Sequence, residues 1–162
     1  GWPSTSRRLA RSVLTMLQFG TPDPALDHRR RPTAFGLVVR DGLIACVRVE
    51  RGHQSYFDLP GGAVDGQETE AEALVREFVE ETGLAIRPQD RITEAGQYFV
   101  KTTGEALNNV GGYWTATVVA ERPETKTEDD HTLTWLEPAQ ALSRLRHDAH
   151  AWAVAVWMRR DS

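Results

Sequence analysis

The stretch Gly62–Leu84 reads GAVDGQETEAEALVREFVEETGL and decides how the rest of the chain is interpreted. Thr69 and Glu72 have the Thr-x-x-Glu spacing of a capping box, which is typical of a helix N-terminus. Gly83 is the kind of residue at which helices end, because glycine adopts the left-handed conformation without strain. The sequence therefore predicts a helix over residues 70–82.

This predicted helix has two chemically different faces. At 100° per residue, one arc is continuously apolar and is expected to pack on a sheet. Its members are Ala71, Leu74, Val75, Phe78 and Val79. The opposite arc carries Glu77, Glu80 and Glu81, whose like charges at this spacing repel one another. An acidic helix face is usually just solvated, but Mg²⁺ or Mn²⁺ would relieve the repulsion, since both favour oxygen ligands.

The stretch resembles the Nudix box, Gly-x5-Glu-x7-Arg-Glu-φ-x-Glu-Glu-x-Gly-φ, in which φ is apolar. Every constrained position agrees, and the preceding turn, Leu59-Pro60-Gly61-Gly62, resembles the family as well. The resemblance implies an α/β fold, namely an α/β/α sandwich with a mixed β-sheet and the box as a loop–helix–loop. It also implies Mg²⁺- or Mn²⁺-dependent hydrolysis of a nucleoside diphosphate linked to another moiety.

The resemblance also assigns roles within the box. It implies that Glu77 and Glu81 are the main metal ligands, and that Glu80 is a further ligand or the base that activates water. Arg76 would orient these glutamates and belongs with Glu80 among the catalytic residues.

Three further residues, two in the box and one just before it, complete this assignment. The resemblance implies that the carbonyl of Gly61 adds to the metal shell. Glu68 would cap and brace the loop, and Gly62 is expected to contact the substrate.

Candidates outside the box are less explicit. Arg48 and Arg51 end a predicted strand, and we expect Arg48 in particular to contact substrate phosphate, although surface solubility is the alternative. The acidic run Glu128–Asp130 is a candidate source of one more catalytic carboxylate, against the alternative of a solvated loop. His53 and His131 have no metal-ligand spacing with another His or Cys and are interpreted as ordinary loop and strand-edge residues.

Aromatic residues are candidates for stacking on a nucleobase, with core packing the expectation for each taken singly. They are Tyr56, Phe57, Tyr98 and Trp114.

The pattern of apolar residues predicts strands before and after the helix. Residues 33–40 and 43–50 are joined by Asp41-Gly42, a strong hairpin signal, and residues 51–57 are expected to form a polar loop. Strands are also predicted over 91–103, 108–120 and 131–136, and helices over 138–146 and 150–160. The catalytic domain is expected to span residues 33–162.

Residues 1–32 are expected to lie outside that domain. Residues 5–19 have the apolar spacing of an amphipathic helix, and residues 25–32 are interpreted as a basic linker. The Arg29-Arg30-Arg31 triplet is expected to be a solvated connector rather than a binding patch. This segment and the apolar C-terminal helix are candidate homodimer elements, and its Arg-rich composition is also that of some targeting leaders.

Composition narrows the class of protein. The 162 residues carry a net charge of −4, which gives no general case for nucleic-acid binding, and no apolar run is long enough to span a membrane. Cys46 is the only cysteine, so a buried thiol and a reducing, cytoplasmic location are expected. We expect a hydrolase of a nucleoside triphosphate or small nucleotide conjugate. The alternatives are a non-catalytic nucleotide-sensing module and an RNA 5′-end pyrophosphohydrolase that uses the basic arm.

Overall fold

In the computed structural model, which describes residues 16–161, one mixed sheet is enclosed by helices on its two faces. The strands are β1 Leu17–Phe19, β2 Arg29–Arg40, β3 Leu43–Arg51, β4 Gln54–Asp58, β5 Gly61–Ala63, β6 Leu84–Val100, β7 Ala106–Glu121 and β8 His131–Leu136. The helices are α1 Glu70–Thr82, α2 Pro138–Arg144 and α3 Asp148–Arg160, and a 3-10 helix spans Pro123–Thr125.

The sheet has two parts that share β2. In the first part the order is β1-β6-β7-β2, with β5 pairing antiparallel to β2, and the β1–β6 and β2–β7 pairs are parallel. In the second part β3 lies between β4 and β8, and both neighbours are antiparallel to it. The β2–β3 hairpin turns at Asp41 and Gly42, whose φ angles of 54° and 78° fit a tight two-residue turn, as predicted.

Two hydrophobic clusters lie on opposite faces of the sheet. On one face Leu74 and Phe78 of α1 pack against Ala34 and Val38 of β2. Gly36 permits the close approach of this helix, because a Cβ there would lie 2.7 Å from the Phe78 ring. On the other face α2, α3 and their connecting residues pack against the sheet. This cluster includes Phe35, Leu37, Cys46, Tyr113, Ala141, Leu145, Ala149, Ala153 and Val154. The α/β/α sandwich, its mixed sheet and the buried Cys46 are therefore confirmed.

The beginning of the sheet corrects the sequence prediction. β2 starts at Arg29 rather than Thr33, and its first four residues pair in parallel with residues 107–110 of β7. The predicted basic linker is therefore part of a strand from Arg29 onward. The arginine side chains in this part of the strand have polar partners. Arg29 forms an ion pair with Glu105 at 3.1 Å, and Arg31 donates to Asn109.

The predicted N-terminal helix is also corrected where it can be compared. Leu17–Phe19 form a strand parallel to Ala95–Gln97 of β6, not the end of a helix. The predicted residues 5–15 lie outside the described residues.

Two further strands differ from the predictions. β6 begins at Leu84, directly after the Gly83 cap, and passes through irregular register around Pro88, whereas the prediction began at Arg91. Residues 54–57, expected in a loop, form β4 together with Asp58 because their backbone pairs with Val47–Arg51 of β3. Within the described residues no helix has the length and apolarity needed to cross a membrane.

Candidate active site

Helix α1 presents Glu77 and Glu81 to a cleft of about 230 Å³. The capping box is formed as predicted: the Thr69 hydroxyl accepts from the N–H of Glu72, and the Glu72 carboxylate accepts from the N–H of Thr69. Gly83 ends the helix with φ 74°. Because the apolar face is anchored to the sheet, the acidic face is fixed toward the cleft.

Arg76 holds the loop and the helix together. Its Nε and Nη2 donate to the two carboxylate oxygens of Glu68 at 2.7 and 2.9 Å, and Nη2 also donates to the carbonyl of Ala63 at 3.0 Å. Nη1 donates to Glu77 at 3.1 Å and, weakly, to Glu80 at 3.4 Å. These bonds lower the pKa of Glu68 to about 2, so this carboxylate stays ionised. Arg76 therefore contacts Glu68, Glu77 and the loop carbonyl of Ala63, and the orienting and bracing roles of Arg76 and Glu68 stay predictions.

The Gly61-Gly62 turn brings the backbone against the two cleft glutamates. Gly61 has φ 141°, and its N–H donates to Oε1 of Glu81 at 3.1 Å. A Cβ on Gly61 would lie 2.2 Å from the carbonyl oxygen of Ala34. A Cβ on Gly62 would lie 2.8 Å from the Glu77 carboxylate. Position 61 therefore requires glycine, whereas a Cβ at position 62 would displace the Glu77 carboxylate. Both glycines line the cleft.

Burial places two carboxylates where their charge is costly. Glu81 is buried, and desolvation followed by repulsion from Glu77 raises its pKa well above the usual value. Desolvation also raises the pKa of Glu77, against the opposing effect of Arg76. All the side-chain donors here are carboxylate oxygens, the ligand type that hard divalent cations favour. A bound cation would offset both the desolvation and the repulsion, so these residues fit a metal site.

Glu80 is placed differently from the other two glutamates. Its carboxylate lies against Arg76 and is not part of the cleft lining, although its side chain is 31% exposed. Its backbone carbonyl accepts from the N–H groups of Thr127 and Glu128, both at 2.9 Å. Glu80 therefore docks the acidic loop onto the helix.

That docked loop adds an acidic group to the cleft. Glu128 lines the cleft, whereas Asp130 forms an ion pair with Arg51 at 3.1 Å, and Asp129 is exposed. Glu128, Asp130 and His131 each offer one potential ligand atom, and these atoms lie within 4.8 Å of one another. Of the three acids in the predicted run, Glu128 is the one that the fold directs at the site.

His131 is not the ordinary strand-edge residue that was predicted. It is buried, lines the cleft, and places Nε2 3.7 Å from Oε2 of Glu81. Its Nδ1 lies 2.7 Å from Asp130. Linear spacing gave no hint of this, because His131 is far from Glu81 along the chain and the pairing of β8 with β3 holds the strand beside α1.

Arg48 is the predicted substrate contact that the structure does not bring to the cleft. It forms an ion pair with Glu50 at 3.0 Å and is absent from the cleft lining, whereas Val49 and Arg51 line it. Side chains alternate between the two faces of a strand, so residues 49 and 51 share the cleft face and residue 48 does not. Arg51 is thus better placed than Arg48, the reverse of the prediction.

One wall of the cleft is aromatic and cationic. Tyr56, Phe99 and Arg146 line it, and the Arg146 guanidinium lies 3.7 Å from the centre of the Tyr56 ring. Arg146 also donates to both carboxylate oxygens of half-buried Asp58, at 3.3 and 2.8 Å. Sequence reasoning missed Asp58, Phe99 and Arg146, which come from three separate elements.

The other aromatic candidates lie elsewhere. Phe57 packs against the hydrophobic core, Tyr98 contacts His28 edge to face, and the indole N–H of Trp114 donates to Glu70 at 2.9 Å. Of the four candidates, Tyr56 is the one in the cleft lining.

Comparison with known families agrees with this fold. A family model described as NUDIX domain matches residues 29–158. Because that match covers most of the chain, the chain belongs to the Nudix family, and its class is pyrophosphohydrolase. The match begins at Arg29, the residue at which β2 begins. A search of curated proteins gave no match.

Solved structures share the fold at low sequence identity. A NUDIX hydrolase from Nitrosomonas europaea has a TM-score of 0.70 at 16% identity, covering 82% of this chain and 90% of that one. A MutT protein from Methanosarcina mazei Go1 has a TM-score of 0.64 at 22% identity, covering 85% and 99%. An ADP-ribose pyrophosphatase from Streptococcus suis has a TM-score of 0.59 at 13% identity, covering 81% and 91%. At these identities the likeness concerns the fold.

Proposed function

We propose that this chain hydrolyses the pyrophosphate bond of a nucleoside diphosphate linked to another moiety, in a reaction that depends on Mg²⁺ or Mn²⁺. The observation that carries the proposal is the pair of half-buried Glu77 and buried Glu81, which lie against the Gly61-Gly62 turn at an electrostatic cost. A folded chain that retains this cost without a catalytic use would be unusual, since strained electrostatics concentrate at functional sites.

Glu77 and Glu81 would hold the metal ion, with the Gly61 carbonyl completing the shell. When bound, a divalent cation neutralises phosphate charge and makes nearby water more acidic. Arg76 keeps Glu77 aimed into the cleft through its 3.1 Å hydrogen bond, while its bonds to Glu68 and Ala63 fix the loop. The Gly62 backbone lets the substrate phosphates approach the carboxylates closely.

The chemical step requires a carboxylate that accepts a proton from water. We assign this role to Glu80, which contacts Arg76 on the acidic face of α1, or to Glu128, which lines the cleft. The water oxygen attacks phosphorus, the bond from phosphorus to the bridging oxygen breaks, and the leaving phosphate takes the electron pair. The products are a nucleoside monophosphate and the phosphorylated remainder.

The substrate is proposed to be a nucleoside triphosphate or a small nucleotide conjugate. Tyr56 and Phe99 supply aromatic surface for a base, and Arg146 already stacks on Tyr56. We expect a small nucleotide rather than an extended nucleic acid, because the cleft has a volume of about 230 Å³.

The test is a panel of nucleotides incubated with Mg²⁺, Mn²⁺ or a chelator, with the products identified by mass. We expect a nucleoside monophosphate from at least one compound, in the presence of metal only. Glu81→Gln, which keeps the acceptor for the Gly61 N–H, should abolish this turnover without unfolding the chain. Glu80→Gln tests the second glutamate in the same assay. Undiminished turnover in Glu81→Gln, or turnover in chelator, would contradict the proposal.

A further inference from the structure

The cations that line the cleft are not equivalent. Arg51 is paired with Asp130 at 3.1 Å, Lys101 with Glu105 at 3.4 Å, and Arg146 with Asp58 at 2.8 Å. Arg31 lines the same cleft, yet it forms no ion pair with any carboxylate in residues 16–161. Among the cleft cations, Arg31 is therefore the one that no carboxylate in the described residues contacts.

Arg31 is held in place by an uncharged partner. Its Nε donates to Oδ1 of Asn109 at 2.9 Å, and the two residues are register partners on β2 and β7. This bond uses the Nε edge of the guanidinium, and no described residue accepts a hydrogen bond from its Nη groups. Asn109 is 6% exposed and lines the cleft, and its Nδ2 has no acceptor in the described residues either. Two adjacent side chains thus offer N–H donors to the cleft.

The position of Arg31 places these donors beside the acidic site. Two residues further along β2, Thr33 pairs with Ala63, the last residue of the strand that contains Gly61 and Gly62. Glu105, followed by Glu77 and Asp65, exerts a field at Arg31 without forming an ion pair with it. Burial, followed by repulsion from Arg29, lowers the pKa of Arg31. A half-buried guanidinium without a counter-ion favours binding of an anion, and its fork matches phosphate oxygens.

We propose that Arg31 and Asn109 form a subsite for the phosphoryl group of the substrate that lies beyond the bond being cleaved. This inference rests on the proposed function and narrows it. It predicts selection for nucleotides whose second moiety is itself anionic, such as the terminal phosphate of a nucleoside triphosphate, over nucleoside diphosphates linked to a neutral sugar.

The variants are chosen to separate charge from fold. Arg31→Ala removes the donors, and Arg31→Lys keeps the charge but not the fork. Asn109→Asp places a carboxylate beside Arg31, which would hold the strands together while occupying the guanidinium and repelling phosphate. Arg30→Ala is the matched control, because Arg30 is the exposed neighbour on the opposite face of β2.

Steady-state kinetics should show an effect that depends on the substrate. For nucleoside triphosphates we expect Arg31→Ala and Asn109→Asp to raise KM by about 10- to 100-fold, the range for losing a charge-assisted hydrogen bond. We expect kcat to change by less than about threefold. Arg31→Lys should raise KM less than Arg31→Ala does, and Arg30→Ala should have the KM of the wild type. Equal losses for triphosphates and neutral-sugar conjugates, or an unchanged KM for triphosphates, would overturn the subsite.

A second measurement does not depend on turnover. Calorimetric titration with inorganic pyrophosphate in chelator should show binding to the wild type that weakens at least about tenfold in Arg31→Ala and Asn109→Asp. If this holds while no nucleotide is hydrolysed, the subsite stands and the proposed function fails. If nucleotides are hydrolysed but pyrophosphate does not bind, or binds the variants equally well, the function stands and the subsite fails.

Discussion

Gly62 lies so close to Glu77 that a single methyl group would displace the carboxylate: a Cβ built at Gly62 falls 2.8 Å from both Cδ and Oε1 of Glu77. The contact is with the end of a flexible side chain, not with backbone. The fold can therefore yield, but only if the Glu77 carboxylate moves from its present position.

We predict that Gly62→Ala leaves the chain folded but weakens metal binding by about tenfold, the lower end of the effect of disturbing the support of a metal ligand. The measurement is the rise in melting temperature on titration with Mg²⁺ or Mn²⁺. Gly66→Ala is the control: with φ 52° and open space around its Cβ, it should cost about 1–2 kcal/mol of strain without changing metal affinity. Equal metal affinity in Gly62→Ala and the wild type would contradict the assignment of Glu77.

Arg76 is predicted to act through its fork, not only its charge. Arg76→Ala should lower the free energy of unfolding, because it leaves Glu68 with the N–H of Asp65 as its remaining donor and removes the donor that Arg76 supplies to the carbonyl of Ala63. Arg76→Lys should recover less than half of this, since an ammonium group cannot bond to both oxygens of Glu68 and reach Glu77 at once. Urea unfolding measures both variants, and full rescue by lysine would show that charge alone suffices.

Glu128 and Asp129 are adjacent acids with different surroundings, which makes them a matched pair. Glu128 lines the cleft and Asp129 is exposed. If Glu128 accepts the proton from water, Glu128→Gln should lower kcat by about 100-fold or more, and Asp129→Asn should leave it unchanged. The assay is hydrolysis of the best substrate from the panel at saturating metal. A smaller loss in Glu128→Gln than in Glu80→Gln would assign the proton transfer to Glu80.

Two buried histidines predict how stability depends on pH. Desolvation lowers the pKa of His147 to about 3 and that of His150 well below its usual value, and Nδ1 of His150 accepts from the N–H of Leu59 at 3.1 Å. Both rings are neutral in the folded chain, whereas in the unfolded chain they take up protons below about pH 6.5. Stability is therefore complete above that pH and is lost as the pH falls from 6.5 toward 3.

In the lower part of this range, each histidine should make the free energy of unfolding fall by about 1.4 kcal/mol for each pH unit. Melting temperatures from pH 4 to 8 would measure it. His147→Gln should flatten the curve even if it lowers the stability at pH 8, and His53→Gln, an exposed change, should leave the slope unaltered. An unchanged slope in His147→Gln would mean that this ring is not neutral in the fold.

The elements that sequence predicted well are those with local signals. The start of α1 is fixed by Thr69 and Glu72, its end by Gly83, and its orientation by the spacing of Leu74 and Phe78. All of these contacts lie within one helix and its turn, so periodicity and capping chemistry suffice to find them.

The parts that sequence missed depend on contacts between distant segments. Arg31 looked like part of a connector because its strand is defined by pairing with residues of β7, far along the chain. His131 and Arg146 reach the cleft only because β8 pairs with β3 and the end of α2 turns back to Phe57. Contacts between segments far apart in the sequence leave no periodic pattern. Arg51 is a different case, because side chains alternate along β3 and Arg51 shares the cleft face with Val49, whereas Arg48 does not.

The early start of β2 changes what a shortened protein can be used for. Cutting the chain before Thr33 would strip β7 of its partner over residues 107–110 and leave a row of unsatisfied backbone donors and acceptors. It would also remove Arg31, the cleft arginine for which residues 16–161 supply no carboxylate partner. Weakened RNA or nucleotide binding by such a fragment would therefore report a damaged sheet, not the loss of a basic arm. A cut that preserves β2 must fall before Arg29, and one that also preserves β1 must fall before Leu17.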